Sequence, residues 1–237
     1  MTENLLPPVD TPDSLILERL LVNRHSCRGF RAEYVPMEVQ RRILEIAQRS
    51  ASWCNAQPWQ VHVTQGRATE ELKRRMLAAF DDAASYERRP DYEWPQTYLG
   101  VYRQRRLDCA MQLYQQVGVP MGDRAASARQ ARENFKFFGA PHVAIITSDK
   151  SLGVYGAVDC GAYVANFLLA AASFGISAIP QAALASQPGV IRKFFEMDES
   201  RSVVCGISFG YEDATHPANG FRTSRASLDD VVSFIHS

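Results

Sequence analysis

Two arginines and a serine near the N-terminus have the types and the spacing of an anion-binding site. They fall within the segment Arg24-His25-Ser26-Cys27-Arg28-Gly29-Phe30. Guanidinium groups bind a phosphate bidentately, and a hydroxyl adds a further donor. A helix would turn Ser26 away from both arginines, whereas an extended segment places all three side chains on one side. Gly29 and the expected end of a preceding helix favour the extended form, although cations that interact only with a helix dipole have the same pattern.

A second segment carries side-chain amides that suit a planar ligand. It is Ser52-Trp53-Cys54-Asn55-Ala56-Gln57-Pro58-Trp59, in a stretch of small and polar residues that leads into a predicted strand. Asn55 and Gln57 can present donors and acceptors to the edge of a heterocycle. A structural turn with Trp53 and Trp59 in the core explains the segment equally well.

Two later segments could complete such a site. The first is Ile179-Pro180-Gln181-Ala182-Ala183. A proline there ends a predicted strand, and the small residues leave backbone N–H groups approachable by a ring. The second is the basic pair Arg222 and Arg225 in a loop after Gly210, which is either a further phosphate clamp or ordinary protein surface.

Composition and absent motifs exclude several other classes of protein. The 237 residues carry 26 Lys and Arg against 26 Asp and Glu, so no net charge favours nucleic acid or an acidic membrane surface. The sequence contains no HExxH, P-loop, GxGxxG or CxxC pattern, which leaves metalloprotease, Rossmann and zinc-ribbon chemistry without support. Because catalysis by side chains is weakly indicated, a bound cofactor is the better expectation for the reactive group.

The chain is expected to be a cytoplasmic protein. Its five cysteines lack metal-ligand spacing, and its first residues lack the basic and apolar regions of a secretion signal. Residues 160–191 contain no charged residue, but glycine, proline and polar residues interrupt them. A membrane span needs about 20 strongly apolar residues, so a buried helix followed by a buried strand and loop is predicted instead.

The elements that would position these segments follow an irregular order. Apolar periodicity and capping signals predict helices from Thr11-Pro12 to Asn23, from Pro36, around 72–80, over 156–174, from Ser186-Pro188 and from Ser227, and strands around 61–63, 142–147, 176–179 and 202–209. This order lacks the regular alternation of a doubly wound sheet and predicts an α+β fold. We expect a single domain over residues 1–237, with a mostly helical insertion at about 81–135.

Together and in this order, the four segments resemble the FMN-dependent nitroreductase family. The resemblance runs from about residue 20 to 225. It implies an α+β homodimer with a central mixed or antiparallel sheet flanked by helices, and FMN sites at the subunit interface. The residues that match cofactor positions are Arg24, His25, Ser26, Cys27, Arg28, Ser52, Trp53, Asn55, Gln57, Asn134, Pro180, Gln181, Ala182, Ala183, Arg222 and Arg225. The partner chain would supply Ser52, Trp53 and Asn55, joined by Gln57, and Asn134 is the loosest match.

The resemblance also implies an activity. Such a protein would transfer hydride from NADH or NADPH through FMN to nitroaromatics, quinones or related electrophiles in a ping-pong reaction, with protons supplied by water. Reductive dehalogenation, fragmentation of the flavin and a flavin-binding dimer without turnover are the alternatives. Many relatives have an acidic residue followed by glycine where this chain has Gln181-Ala182, a difference that can alter the flavin's potential in a direction the sequence leaves open.

Overall fold

Residues 10–82 and 89–236 are described by a computed structural model, and within them seven α-helices and four β-strands form. The helices are α1 (Pro12–Asn23), α2 (Met37–Ala47), α3 (Arg67–Asp81), α4 (Gly100–Gln116), α5 (Arg124–Arg132), α6 (Gly153–Ser173) and α7 (Pro188–Phe195). The strands are β1 (Gln60–Gln65), β2 (His142–Asp149), β3 (Ser177–Gln181) and β4 (Arg201–Gly210).

The four strands form one antiparallel sheet in the order β1-β2-β4-β3. β2 pairs with β1 on one side and with β4 on the other, and a bulge interrupts the second pairing between Ile146 and Thr147. β3 is an edge strand that covers only the last five residues of β4. A parallel bridge between Ser26 and Ala178 adds the chain after α1 to the outer edge of β3. The predicted α+β fold with a central sheet is therefore confirmed.

Both faces of the sheet are covered, because β2 sends alternate residues to opposite sides. Ala144 and Ile146 belong to a core shared with α2 and α6, and both are fully buried. Val143 and Ile145 belong to a second core with α3, α7 and the 3-10 segment Glu133–Gly139. A strand covered on both faces needs a continuous apolar run rather than an alternating one, which is the pattern that β2 shows.

The helix α6 is less buried than predicted. Within the described residues, Lys150–Ser173 is long and apolar enough to cross a membrane, a property that it shares with core helices of soluble proteins. Of its most apolar stretch, 33% is buried. Tyr163 and Phe167 pack on the sheet, while Val154 and Val158 are exposed by 66% and 60%. The predicted buried helix is therefore buried on the side that faces the sheet and exposed on the other side. Because both sides of this helix are apolar, periodicity could not reveal that only one side faces the chain's own sheet.

Two further predicted elements differ from the structure, a helix that does not form and a strand that ends later. Within the described residues 227–236 no helix forms after Ser227; a turn at 228–231 takes its place. Ser227 and Asp230 do make the predicted cap-like hydrogen bonds, but a helix gains most of its stability from packing, and Val231 stays 64% exposed. β3 continues through Pro180 to Gln181, which an edge strand tolerates because it needs no N–H on its outer side.

The region around 81–135 contains α4 and α5, and residues 83–88 lie outside the described residues. Asp91, which follows that gap, accepts hydrogen bonds from Arg192 Nη1 at 2.6 Å and from the Val203 N–H at 2.7 Å. It therefore fastens this part of the chain to α7 and β4. That the region is an insertion within a single domain stays a prediction.

Candidate functional site

The predicted anion-binding segment runs along the outer edge of β3. α1 ends at Asn23, and Arg24 has extended backbone angles (φ −68°, ψ 141°). The Cys27 N–H donates to Ala178 O at 3.3 Å, next to the bridge made by Ser26. The extended form is therefore confirmed over the helical one. In it, Arg24, Ser26 and Arg28 all line one cleft, as alternation along an extended segment requires.

This basic cleft has a volume of about 700 Å³ and an unbalanced charge. Its lining includes four arginines and a histidine but no aspartate or glutamate among the described residues, the basic members being Arg24, His25, Arg28, Arg222 and Arg225. Guanidinium groups around one cavity repel one another when no anion lies between them. The structure thus brings the N-terminal segment and the C-terminal basic pair together, and the donor set suits a phosphate.

Arg28 lies at the inner wall of the basic cleft. Its Nη1 donates to Ser26 O at 3.2 Å, and its Cζ lies 5.8 Å from the centre of the Phe221 ring. Burial lowers the pKa of the Arg28 guanidinium from its ordinary value, because the charged form is desolvated. The group still stays protonated. Among the described residues that line the cleft there is no carboxylate, so this half-buried cation favours an anionic ligand.

Asn219 fixes the backbone that presents Arg28. Its Oδ1 accepts from the Arg28 N–H at 2.7 Å, and its Nδ2 donates to Gly29 O at 2.9 Å. Gly29 has no room for a side chain, because a Cβ there would lie 2.3 Å from Cγ of His216. Sequence reasoning missed Asn219, which stands 191 positions from Arg28 and gives no local signal.

His25 and Cys27 lie in the same segment with different surroundings. His25 lines the basic cleft, and its Nε2 is 3.1 Å from Glu212 Oε1. Ser177 Oγ donates to the other oxygen of that carboxylate at 3.2 Å. Cys27 is fully buried, its thiol donates to Gly29 O at 3.1 Å, and burial raises its pKa to about 12. A thiol with that pKa is a packing group at neutral pH.

β3 ends at the small-residue segment that the sequence singled out. Pro180 and Ala182 are exposed and Ala183 is half-buried, so the strand ends on an open surface of small side chains. Gln181 is buried, and its Nε2 donates to Asn134 O at 3.0 Å. At about 3.3 Å per residue, Gln181 lies about 10 Å along β3 from the residue paired with Ser26. The basic cleft and the small-residue surface therefore lie in line along one strand edge.

The loop 52–57 is exposed and adopts an unusual backbone. Cys54, Asn55 and Gln57 have φ of 52°, 54° and 47°, a left-handed region that costs a non-glycine residue about 1–3 kcal/mol. Ser52 Oγ accepts from the Gln57 N–H at 2.9 Å and closes the turn. Such a conformation persists only where its surroundings determine it, and it often marks a functional site.

Contacts with α6 hold this loop in place. The Trp53 N–H donates to both carboxylate oxygens of Asp159 at 3.2 Å, and the Trp53 ring meets Tyr155 with centroids 4.5 Å apart. Trp53 is 60% exposed, whereas Trp59 is 6% exposed and lies in the core. The core position that the structural-turn alternative predicts is therefore confirmed for Trp59 and wrong for Trp53. Asp159 is a second residue that sequence reasoning missed, although it is the only charged residue in α6.

The loop 52–57 and the basic cleft lie at opposite ends of α6. The loop contacts Tyr155 and Asp159 in the first turns of the helix, while Arg24 shares a cavity with Leu168 and Ala172 near its last turn. Between Asp159 and Ala172 the helix rises about 20 Å. One chain therefore does not bring the loop's amides to the basic cleft.

Comparison with known proteins supplies the family. The model of the nitroreductase family matches residues 21–211, a range that holds the first arginine segment, the loop 52–57 and β3. The chain belongs to the nitroreductase family. It is 33% identical to nitroreductase NfnB from Mycolicibacterium smegmatis over 231 residues, which cover 96% of this chain and 95% of that protein. It is 32% identical to a 4-nitrobenzoate reductase from Nocardioides sp., with 97% and 92% covered.

Structural comparison agrees with the nitroreductase assignment. The crystal structure of the FMN-dependent nitroreductase NfnB from Mycobacterium smegmatis in complex with NADPH superposes with a TM-score of 0.89 at 32% identity. That alignment covers 94% of this chain and 99% of the NfnB chain. The family and the fold that the four sequence segments resembled are therefore confirmed.

One further motif of this nitroreductase was not recognised in the sequence. Gly206-Ile207-Ser208-Phe209-Gly210 matches the GxSxG pattern of nucleophile-elbow hydrolases. In those enzymes the serine lies exposed on a sharp turn between a strand and a helix. Ser208 instead lies within β4, is fully buried and donates its hydroxyl to Gln181 Oε1 at 2.5 Å. It is a structural hydroxyl here and not a nucleophile.

Proposed function

We propose that this nitroreductase is an FMN-dependent oxidoreductase that transfers hydride from NADH or NADPH to nitroaromatics, quinones or related electrophiles. The observation that carries the proposal is the basic cleft, which lies in line with the small-residue end of β3 about 10 Å away. The relatives support it: NfnB is described as FMN-dependent and in complex with NADPH, and another relative is a 4-nitrobenzoate reductase.

The basic cleft would hold the phosphate and ribityl end of FMN. Its guanidinium groups can donate bidentately to phosphate oxygens, and Ser26 adds a hydroxyl donor. The residues assigned to this end are Arg24, His25, Ser26, Cys27, Arg28, Arg222 and Arg225. Cys27 contributes through its backbone position, since its thiol is buried.

The end of β3 would hold the isoalloxazine ring. Pro180, Ala182 and Ala183 offer no long side chain, so a planar ring can approach the backbone there. Gln181 is buried behind this surface, and its hydrogen bond to Asn134 O joins it to the neighbouring turn. The site fits FMN because cations and small residues lie at the two ends of one strand edge.

We infer that a second copy of the chain completes the site. α1 has no buried residue, and Val22 and Phe234 are each 69% exposed. A helix of twelve residues needs packing to be stable, and these exposed apolar side chains support an interface. A partner would cover these surfaces and α6, and would supply Ser52, Trp53, Asn55 and Gln57 to the FMN bound by this chain. The resulting homodimer would have single-domain protomers, each with a helical insertion at about 81–135.

The residues of this chain bind and orient; they do not carry out the electron transfer. FMN supplies the hydride chemistry when bound. The small-residue end of β3 would leave one ring face open, where the nicotinamide and the electrophile bind in turn, as a ping-pong reaction requires. Residues 180–183 include no ionisable side chain, so protons would come from water. The five free cysteines fit a reducing, cytoplasmic location.

Absorbance of the purified protein tests this function. We expect a yellow protein that is bleached by NADH or NADPH under anaerobic conditions and recoloured by a nitroaromatic or a quinone. Product analysis should then find the reduced nitro compound or quinone, with no halide release and no loss of flavin. A colourless protein that does not retain added FMN would contradict the proposal. Retained FMN without pyridine-nucleotide oxidation would instead indicate a flavin-binding dimer without turnover.

A further inference from the structure

Gln181 is the buried member of the small-residue end of β3. Only 2% of its surface is exposed, although Pro180 and Ala182 on either side are exposed. Its Nε2 donates to Asn134 O at 3.0 Å and lies 3.3 Å from Asn134 Oδ1, while its Oε1 accepts from Ser208 Oγ at 2.5 Å. The side chain thus links β3, β4 and the turn that carries Asn134.

Backbone carbonyl oxygens determine which side-chain atom donates and which accepts in these contacts. A carbonyl oxygen can only accept, so Nε2 and not Oε1 of Gln181 must face Asn134 O. Likewise, Asn134 Nδ2 donates to Ala131 O at 3.1 Å, which leaves Asn134 Oδ1 toward Gln181. The second N–H of that Nδ2 has no acceptor among the described residues. Because Asn134 is half-buried, this N–H is the donor that its side chain can offer to a ligand.

The turn that carries Asn134 has little freedom to move. Phe137 and Phe138 follow it with φ of 57° and 52°, and both rings are buried. Such left-handed conformations at bulky residues persist only when the surrounding packing determines them. The position of the Asn134 amide is therefore set by the fold, and its orientation by its hydrogen bonds with Ala131 O and Gln181 Nε2.

We propose that Gln181 is a positioning residue that keeps the Asn134 amide as a hydrogen-bond donor toward the flavin ring and thereby favours the reduced cofactor. The inference rests on the proposed FMN-dependent function. Reduction adds negative charge to the ring, and a preorganised N–H donor stabilises that charge more than it stabilises the neutral oxidised ring. Glutamine at position 181 therefore raises the flavin's potential relative to an acidic residue, the direction that the sequence left open.

A carboxylate at position 181 would turn the Asn134 amide around, so that its oxygen and not its N–H faces the ring. An ionised glutamate has only acceptors, so it would face Asn134 O without a proton between them. As a charged and therefore stronger acceptor than Ala131 O, it would draw Asn134 Nδ2 from that oxygen toward itself. Asn134 Oδ1 would then face the ring and oppose its negative charge. Burial favours the protonated carboxyl, which can donate to Asn134 O again, so low pH restores the original arrangement.

The midpoint potential of FMN in the holoprotein tests this inference. In Gln181→Glu we expect the preference for reduced over oxidised flavin to fall about tenfold, which lowers the two-electron potential by about 30 mV. The difference from wild type should shrink between about pH 8 and about pH 5.5, a dependence that a purely structural defect does not produce. Ser208→Ala is the matched control. It removes a hydrogen bond from the same amide but leaves the donor toward Asn134 O, so the preference should change less than about twofold.

A second variant keeps the inference testable if Gln181→Glu does not fold. Asn134→Ala removes the donor itself and should lower the preference about tenfold, and adding Gln181→Glu should lower it no further because both act through one N–H. An unchanged potential in Asn134→Ala, or in a folded Gln181→Glu, overturns the inference and leaves the FMN function standing. A wild-type protein that binds no FMN overturns both.

Discussion

Arg28 shows at the scale of single residues why the basic cleft should bind an anion. Its guanidinium is half-buried, and burial lowers its pKa. Within the described residues its hydrogen-bond partner is a backbone oxygen and not a carboxylate. Removing a cation from water costs free energy that an opposite charge offsets. A phosphate among four guanidinium groups would supply that charge, so cofactor affinity should be concentrated at this end of the site.

Arg24→Ala should weaken FMN binding by about 1.5–3 kcal/mol, the range for a hydrogen bond to a charged group. Quenching of flavin fluorescence on titration of the apoprotein measures the change. Arg42→Ala is the matched control, because Arg42 is exposed on α2 and pairs with Glu45 there. If Arg24→Ala binds FMN as tightly as wild type does, Arg24 merely interacts with the C-terminal end of α1.

Residue spacing predicted part of this site and could not predict the rest. Arg24, Ser26 and Arg28 were placed correctly on one side because alternation along an extended segment is a local rule. Asn219 reaches Arg28 only after the chain has passed through the whole sheet, so no local rule applies. The inward orientation of Gln181 likewise depends on contacts with other elements, which sequence neighbours do not reveal.

At the scale of elements, α6 has two roles. One side packs on the sheet, and its only charged residue, Asp159, accepts from the Trp53 N–H and anchors the loop 52–57. Asn166 donates to Ser50 Oγ at 2.7 Å and holds the chain just before that loop. The left-handed residues of the loop therefore depend on a helix that is more than 90 residues away in sequence.

Asp159→Ala should loosen the loop 52–57 and destabilise the protein by about 0.5–1.5 kcal/mol, the net worth of a typical hydrogen bond. Faster amide hydrogen exchange in peptides that cover the loop, with unchanged exchange in β2, is the expected result. Asp159→Asn is the control, since its side-chain oxygen can still accept from the Trp53 N–H. Unaltered loop exchange in Asp159→Ala would show that the loop holds its conformation without this contact.

The sequence predicts where a helix can begin more easily than what the helix packs against. Thr11 and Ser14 form the cap that opens α1, and Pro12 stands at its first position, as local signals indicated. The cap-like pair at Ser227 opens no helix in the described residues 227–236, where the apolar side chains that follow it stay largely exposed. A local signal fixes where a helix can begin, but packing decides whether it forms.

At the scale of the whole molecule, a single chain leaves its proposed site in two halves. The basic cleft and the end of β3 lie on one edge of the sheet, while the loop 52–57 lies at the other end of α6, about 20 Å away. The apolar faces of α1, α6 and the last residues remain exposed, with Ile235 94% accessible. A symmetric pair of chains would cover these faces and give each FMN site the loop of the partner chain.

Mixed dimers test most directly whether each FMN site is built from both subunits. One subunit would carry Arg24→Ala and Arg28→Ala, the other Trp53→Ala and Asn55→Ala, and different affinity tags would isolate the mixed species. If the cleft and the loop of a site come from different subunits, one site has every defect and the other has none, so bound FMN should recover to about half the wild-type content while each parent homodimer stays depleted. Mixed dimers that hold no more FMN than their parents would contradict the account.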